Sequence, residues 1–203
     1  MAKSYETPIG VSLDWPRING EPNTKFDEAG VWECKVRFSA KDGSKIESDI
    51  MALYDEELDK QTKANKGNAP KQANKPWSVD DDGSYVFKFK NKATITPKKG
   101  SPFQFVPPCF DSTGNRIPKR VKIFGGTELK VKFEPYVWFT PLMGLGISLR
   151  LKATCFWKLV GEKSMKFEGS GGYQADYDDD GSGEELATHA TQSNESEGHE
   201  EGF

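Results

Sequence analysis

A strand that must turn two chemically opposite faces to its surroundings constrains a fold more than any bulk property does. Residues 125–138, GGTELKVKFEPYVW, encode such a strand. Read with a period of two, Leu129, Val131, Phe133, Pro135 and Val137 form an apolar row, while Lys130, Lys132, Tyr136 and Trp138 share the opposite face. One face is built for a core. The other offers ammonium groups followed by flat rings, which is what a single nucleic-acid strand needs, since phosphates pair with cations and unstacked bases lie on rings. A lone strand of this kind has an equally simple explanation, because charge on an outer face is the ordinary result of sheet patterning.

The pattern recurs. In 85–93, YVFKFKNKA, the residues Tyr85, Phe87 and Phe89 point one way and Lys88, Lys90 and Lys92 the other. In 148–159 the alternation predicts Leu149, Leu151, Ala153, Cys155, Trp157 and Leu159 inward, with Arg150, Lys152, Thr154, Phe156 and Lys158 outward. A further strand is predicted over 31–38, with Trp32, Cys34, Val36 and Phe38 inward. Three strands that oppose apolar rows to cations are harder to attribute to solubility than one. They point to a basic groove whose nucleic-acid contacts are Lys88, Lys90, Lys92, Lys130, Lys132, Tyr136, Trp138, Arg150 and Lys152.

Between the strands the period changes once. Ile50, Met51, Tyr54 and Leu58 recur at helical spacing and predict one amphipathic helix over about 48–63, ended near Gly67. Asp42-Gly43 reads as a turn, 102–110 as a short aromatic strand, and 111–122, with Arg116, Lys119, Arg120 and Lys122, as a loop. Pro8, Pro16, Gly20 and Pro22 predict extended and looped chain over 1–29, in which Trp15 plugs one end of the core. About five strands, one inserted helix and no βαβ rhythm predict a mainly β fold. The expected architecture is a small closed antiparallel OB-type barrel over 1–168, with a helix-and-loop insertion at about 48–78.

The net charge of −3 conceals a division of the chain. Residues 174–203 carry ten acids and no Lys or Arg, whereas the chain up to Tyr173 holds all 28 cations and 21 of the 31 anions, for +7. Residues 169–203 are therefore expected to form a flexible acidic tail with almost nothing to bury. Solubility does not account for its terminal Phe203, so Asp178, Asp179, Asp180, Glu197, Glu200, Glu201 and Phe203 are expected to dock on basic pockets, of the body in competition with DNA and of partner proteins.

Other chemistry finds little support. The motif starting at Asp176 matches half of an EF-hand loop, but Ala187 stands where a bidentate Glu is required. Both histidines, His189 and His199, fall in the tail, so no Ser/His/Asp or Cys/His arrangement is available in the body, and neither an enzyme, a metal nor a cofactor is expected. Cys34, Cys109 and Cys155 are widely spaced and odd in number, as free thiols in a reducing compartment would be. No signal peptide or membrane-length apolar run is seen, and a cytoplasmic location is expected. Two alternatives stand beside the DNA reading: an acidic-tailed chaperone or structural β-protein, and an OB-type RNA binder, although no feature here reads a 2′-hydroxyl.

The segments 85–93 and 125–138, the continuation to Leu159 and the acidic C-terminus ending in Phe resemble the single-stranded DNA-binding proteins of T7-like bacteriophages. The resemblance implies an OB-fold that coats single-stranded DNA in phage replication and recombination, in the cytoplasm of an infected bacterial host. It also implies a homodimer, a tail that contacts the phage DNA polymerase and helicase-primase, and DNA contacts at Lys88, Lys90, Lys130, Lys132 and Tyr136. The helix-and-loop insertion of about 50–78 is shorter than in that family, and the proline-rich N-terminus aligns poorly with it.

Overall fold

The computed structural model describes residues 3–97 and 100–160. Ten strands and one helix follow in order: β1 (Tyr5–Glu6), β2 (Gly10–Arg17), β3 (Val31–Phe38), α1 (Ala40–Ala64), β4 (Trp77–Val79), β5 (Tyr85–Lys92), β6 (Thr94–Ile95), β7 (Phe103–Gln104), β8 (Cys109–Phe110), β9 (Glu128–Thr140) and β10 (Gly144–Lys158). Strand β2 pairs with β3, β3 with β5, β5 with β10, β10 with β9, and β9 back with β2, so five strands close on themselves. This is the OB-type barrel that the alternation predicts. Four of its seams are antiparallel, but the β5–β10 seam is parallel, against the expected antiparallel barrel, because an odd number of strands closed in a ring cannot alternate direction at every seam. The short strands β1, β4 and β8 extend the ladder on β9, β5 and β10.

The inward rows fill the barrel as read from the sequence. Phe87, Phe89, Leu129, Val131, Phe133, Leu149 and Leu151 are all buried. Phe38, Phe87, Phe89 and Phe133 meet in a chain of ring contacts with centroids 5.1 to 6.3 Å apart. Each such contact adds about 0.5 to 1.5 kcal/mol beyond area burial.

Several details differ from the alternation. Strand β10 carries a bulge at Lys152, because Leu151 pairs with Phe133 and Ala153 with Lys132, which leaves one residue extra. A single inserted residue reverses the phase of everything after it. Thr154 and Phe156 therefore turn inward, and Trp157 turns out, 59% exposed. Trp15 does not plug the core. Asp14 adopts a left-handed φ of 53° and the β2–β3 register shifts there, which leaves Trp15 65% exposed and edge-on to Phe124. The stretch predicted as one strand over 102–110 is broken by Pro107 and Pro108, which have no N–H to give a ladder. Its first part, β7, pairs only with β6 in a separate two-stranded ribbon.

Asp42-Gly43 is no turn but the first turn of α1. The Ser39 side chain caps the helix by accepting the Asp42 amide at 3.2 Å. Gly43 faces Tyr85 so closely that a Cβ there would fall within 2.5 Å of the ring. Only glycine admits that approach. Ile46, Ile50 and Tyr54 continue the buried stripe one turn at a time, and the helix packs on β3, β5 and β9. Lys66 and Gly67 take positive φ just past its end, where the Gly67 amide bonds back to the Thr62 carbonyl.

Candidate nucleic-acid interface

Sheet order β9–β10–β5 lays three outward rows side by side, and a groove of about 950 Å³ runs over them. Six of the nine contacts predicted from sequence line it: Lys90, Lys92, Tyr136, Trp138, Arg150 and Lys152. The β6–β7 ribbon, which springs from the end of β5, borders the same groove with Ile95 and Phe103.

The two rings are held by their cross-strand neighbours. Trp138 lies opposite Gly146, and a Cβ at Gly146 would come within 2.3 Å of the indole. The indole therefore rests on the glycine, and its Nε1–H donates to the Ser148 hydroxyl at 3.0 Å. Tyr136 is 43% exposed, with the Arg150 guanidinium 3.5 Å from its ring centroid. Two residues apart on one strand face, the rings are spaced by about 6.8 Å. That is roughly twice the 3.4 Å rise of a stacked nucleic-acid strand, so neighbouring bases must unstack to use both.

Carboxylates hold several of the cations. Lys152 binds Glu134 at 3.0 Å, Lys92 approaches Asp27 at 3.8 Å, and Lys88 binds Glu33 at 2.8 Å on the β3–β5 face beside the groove. Partial burial pushes the Glu33 carboxyl up. Hydrogen bonds from Lys88 and Asn23 and the charges of Lys88 and Lys90 outweigh it, and the group lies below its ordinary value. Lys90 has no carboxylate within ion-pair distance among the described residues. Further round the barrel Lys35 pairs with Asp14 at 3.0 Å and Arg37 with Asp80 at 2.7 Å, which neutralises that face.

Lys130 and Lys132 do not join the groove. They line a second hollow of about 470 Å³ with Glu6, Phe110, Thr113 and Cys155, and Lys130 reaches Glu6 at 3.4 Å. On the outer face of β9 the Glu134–Lys152 pair stands between this hollow and the rings. Lys130 and Tyr136 are about 20 Å apart along the strand. The tail positions Asp178, Asp179, Asp180, Glu197, Glu200, Glu201 and Phe203, and the half EF-hand motif, lie outside the described residues.

Sequence reasoning missed Phe103 and the acidic partners. The tripeptide 103–105, Phe-Gln-Phe, marks an aromatic segment, but not that its first ring leaves the barrel on a ribbon. Asp27, Glu33 and Glu134 carry no local signal, because strand register brings Glu33 and Glu134 to their lysines and the loop before β3 brings Asp27 to Lys92. Among the described residues no cluster of His, Cys, Asp and Glu could hold a metal, and no helix is long and apolar enough to cross a membrane.

The chain is similar to known proteins. Residues 24–159 match the family model described as the single-stranded DNA-binding protein of bacteriophage T7. A single-stranded DNA-binding protein of Enterobacteria phage T3 is 28% identical over 179 residues, covering 78% of this chain and 77% of its own. Among solved structures, gp2.5, a single-stranded DNA-binding protein encoded by bacteriophage T7, superposes with a TM-score of 0.69 at 22% identity, over 86% of this chain and 100% of its own. The single-stranded DNA-binding protein of bacteriophage Enc34, in complex with single-stranded DNA, gives 0.51 at 13% identity, over 76% and 86%. At these identities the structural likenesses speak for the fold.

Proposed function

Because the chain belongs to the family of single-stranded DNA-binding proteins represented by that of bacteriophage T7, we propose that it coats single-stranded DNA, without sequence preference, along the groove over β9, β10 and β5. The observation that carries this reading is the joining of two supported rings, Tyr136 and Trp138, with Lys90, Lys92, Arg150 and Lys152 in one channel. The lysines hold the backbone, rings take the bases, and neither reads a base edge, so the grip is sequence-tolerant. Lys88 extends the basic track along β5. Lys130 and Lys132 serve a more distant stretch of the same strand. The role is that of a non-enzymatic coat in phage DNA replication and recombination.

The acidic residues near the C-terminus complete the proposal. Asp178, Asp179, Asp180, Glu197, Glu200, Glu201 and Phe203 compete with DNA for the basic groove and recruit the phage DNA polymerase and helicase-primase, and the protein works as a homodimer. The charge contrast between +7 up to Tyr173 and ten acids beyond it supports this part. Fluorescence polarisation with labelled dT oligonucleotides over a series of salt concentrations tests the main claim. Each phosphate contact contributes about −0.7 to the log–log slope of affinity against salt. Absence of salt-sensitive binding to dT, or equal binding to duplex DNA, would overturn it. Removal of residues 174–203 is expected to tighten binding at low salt, with most of the gain lost at high salt.

A further inference from the structure

At 3.5 Å from the Tyr136 centroid, the Arg150 guanidinium carbon is at van der Waals contact with the ring. An edge-on approach would interpose an N–H and hold that carbon further out, so the two planes lie face to face. The carboxylate that should claim Arg150 is that of Glu134, directly opposite on β9. Lys152 takes it instead, at 3.0 Å. Among the described residues Arg150 has no ion-pair partner, and its packing is with the ring.

Resting on the single-stranded DNA reading, we propose that Arg150 is a stacking plane for a base rather than a phosphate contact. With Tyr136 behind it and Phe103 on the β6–β7 ribbon bordering the same groove, it forms a nucleobase subsite. Arg150 covers one face of Tyr136, so a base arriving on that side meets the guanidinium. That surface suits it. The guanidinium is planar, delocalised and weakly hydrated, and unstacked bases lie on such planes as they do on aromatic rings. Stacking there keeps the contact with Tyr136 intact and adds a second one above it. Phe103 is 51% exposed and supplies an apolar surface from the β5 side of the groove. A lysine at 150 would keep the charge and lose the plane.

The test compares full-length wild type, Arg150→Lys, Arg150→Ala and Phe103→Ala on a labelled dT oligomer and on an abasic oligomer of equal length, over several salt concentrations. A stacking role predicts that Arg150→Lys weakens dT binding on the order of tenfold while keeping the wild-type salt slope. The same variant then matches wild type on the abasic strand. Phe103→Ala, at an exposed ring outside the barrel, is expected to lose affinity for dT and not for the abasic strand. Wild-type dT affinity in Arg150→Lys, or an equal loss on both oligomers, overturns the stacking role. Unchanged dT affinity in Phe103→Ala removes Phe103 from the subsite. Failure of the wild type to bind dT at all would instead refute the DNA reading beneath it, so the two failures are distinguishable.

Discussion

Glu33 and Glu134 sit where cations in the groove and beside it would otherwise meet phosphate, and replacing both by glutamine should tighten DNA binding. Lys88 is 2.8 Å from Glu33 and Lys152 is 3.0 Å from Glu134, and DNA must displace each carboxylate to reach its lysine. The lysine side chains are 46% and 44% exposed, so each pair is worth no more than about 0.5 to 1 kcal/mol. Releasing both contributes about 1 to 2 kcal/mol to binding, roughly a five- to thirty-fold gain in affinity at low salt. Two more effective positive charges should also steepen the log–log salt slope by about 1.4. Polarisation titrations of Glu33→Gln/Glu134→Gln against wild type on a dT oligomer measure both quantities.

A pH series supplies an internal control for Glu33. Its carboxyl lies below its ordinary value of 4.5, so the ion pair stands throughout neutral pH. Its stabilising effect is complete above that value and is lost as pH falls through the lowered one. In that acid window the wild type should gain on the double variant, because its own carboxylate is then neutralised. Unchanged or weaker binding by Glu33→Gln/Glu134→Gln at low salt would refute the idea that these carboxylates compete with phosphate. It would mean that they hold the lysines in place.

Three further outcomes are expected. Gly146→Ala puts a Cβ within 2.3 Å of the Trp138 ring and must tilt it off its support; dT affinity should fall about fivefold or more, with little change in thermal midpoint because the indole can swing outward. Lys130→Ala/Lys132→Ala should flatten the salt slope by about 1.4 if both meet phosphate, and an unchanged slope would confine the DNA to the groove. Burial raises the Cys34 thiol, and burial likewise raises Cys109, whereas Cys155 is only half-buried; DTNB should therefore modify one thiol in the native protein and three after denaturation.

What can be read from this chain before its structure is the identity of faces, and what cannot is their register. Burial on one side of a strand imposes a period of two, so Phe87 and Phe89 on β5 and Leu129, Val131 and Phe133 on β9 announce themselves by residue type alone. The groove rings Tyr136 and Trp138 follow from the same alternation. An inserted residue leaves no such trace. Lys152 looks like its neighbours on the outer row, yet as a bulge it sends Phe156 inward and Trp157 outward. Gly43 reads as a turn residue because its reason for being glycine, the Tyr85 ring, lies 42 positions away in the chain. The same limit governs the charges. Residue type shows which lysines face out, whereas strand pairing decides that Lys152 meets Glu134 and that Arg150, left without it, lies on Tyr136. A groove inferred from cations by type alone assigns every one of them to phosphate, and it is the register that separates a cation already engaged by a carboxylate from one laid flat as a surface for a base.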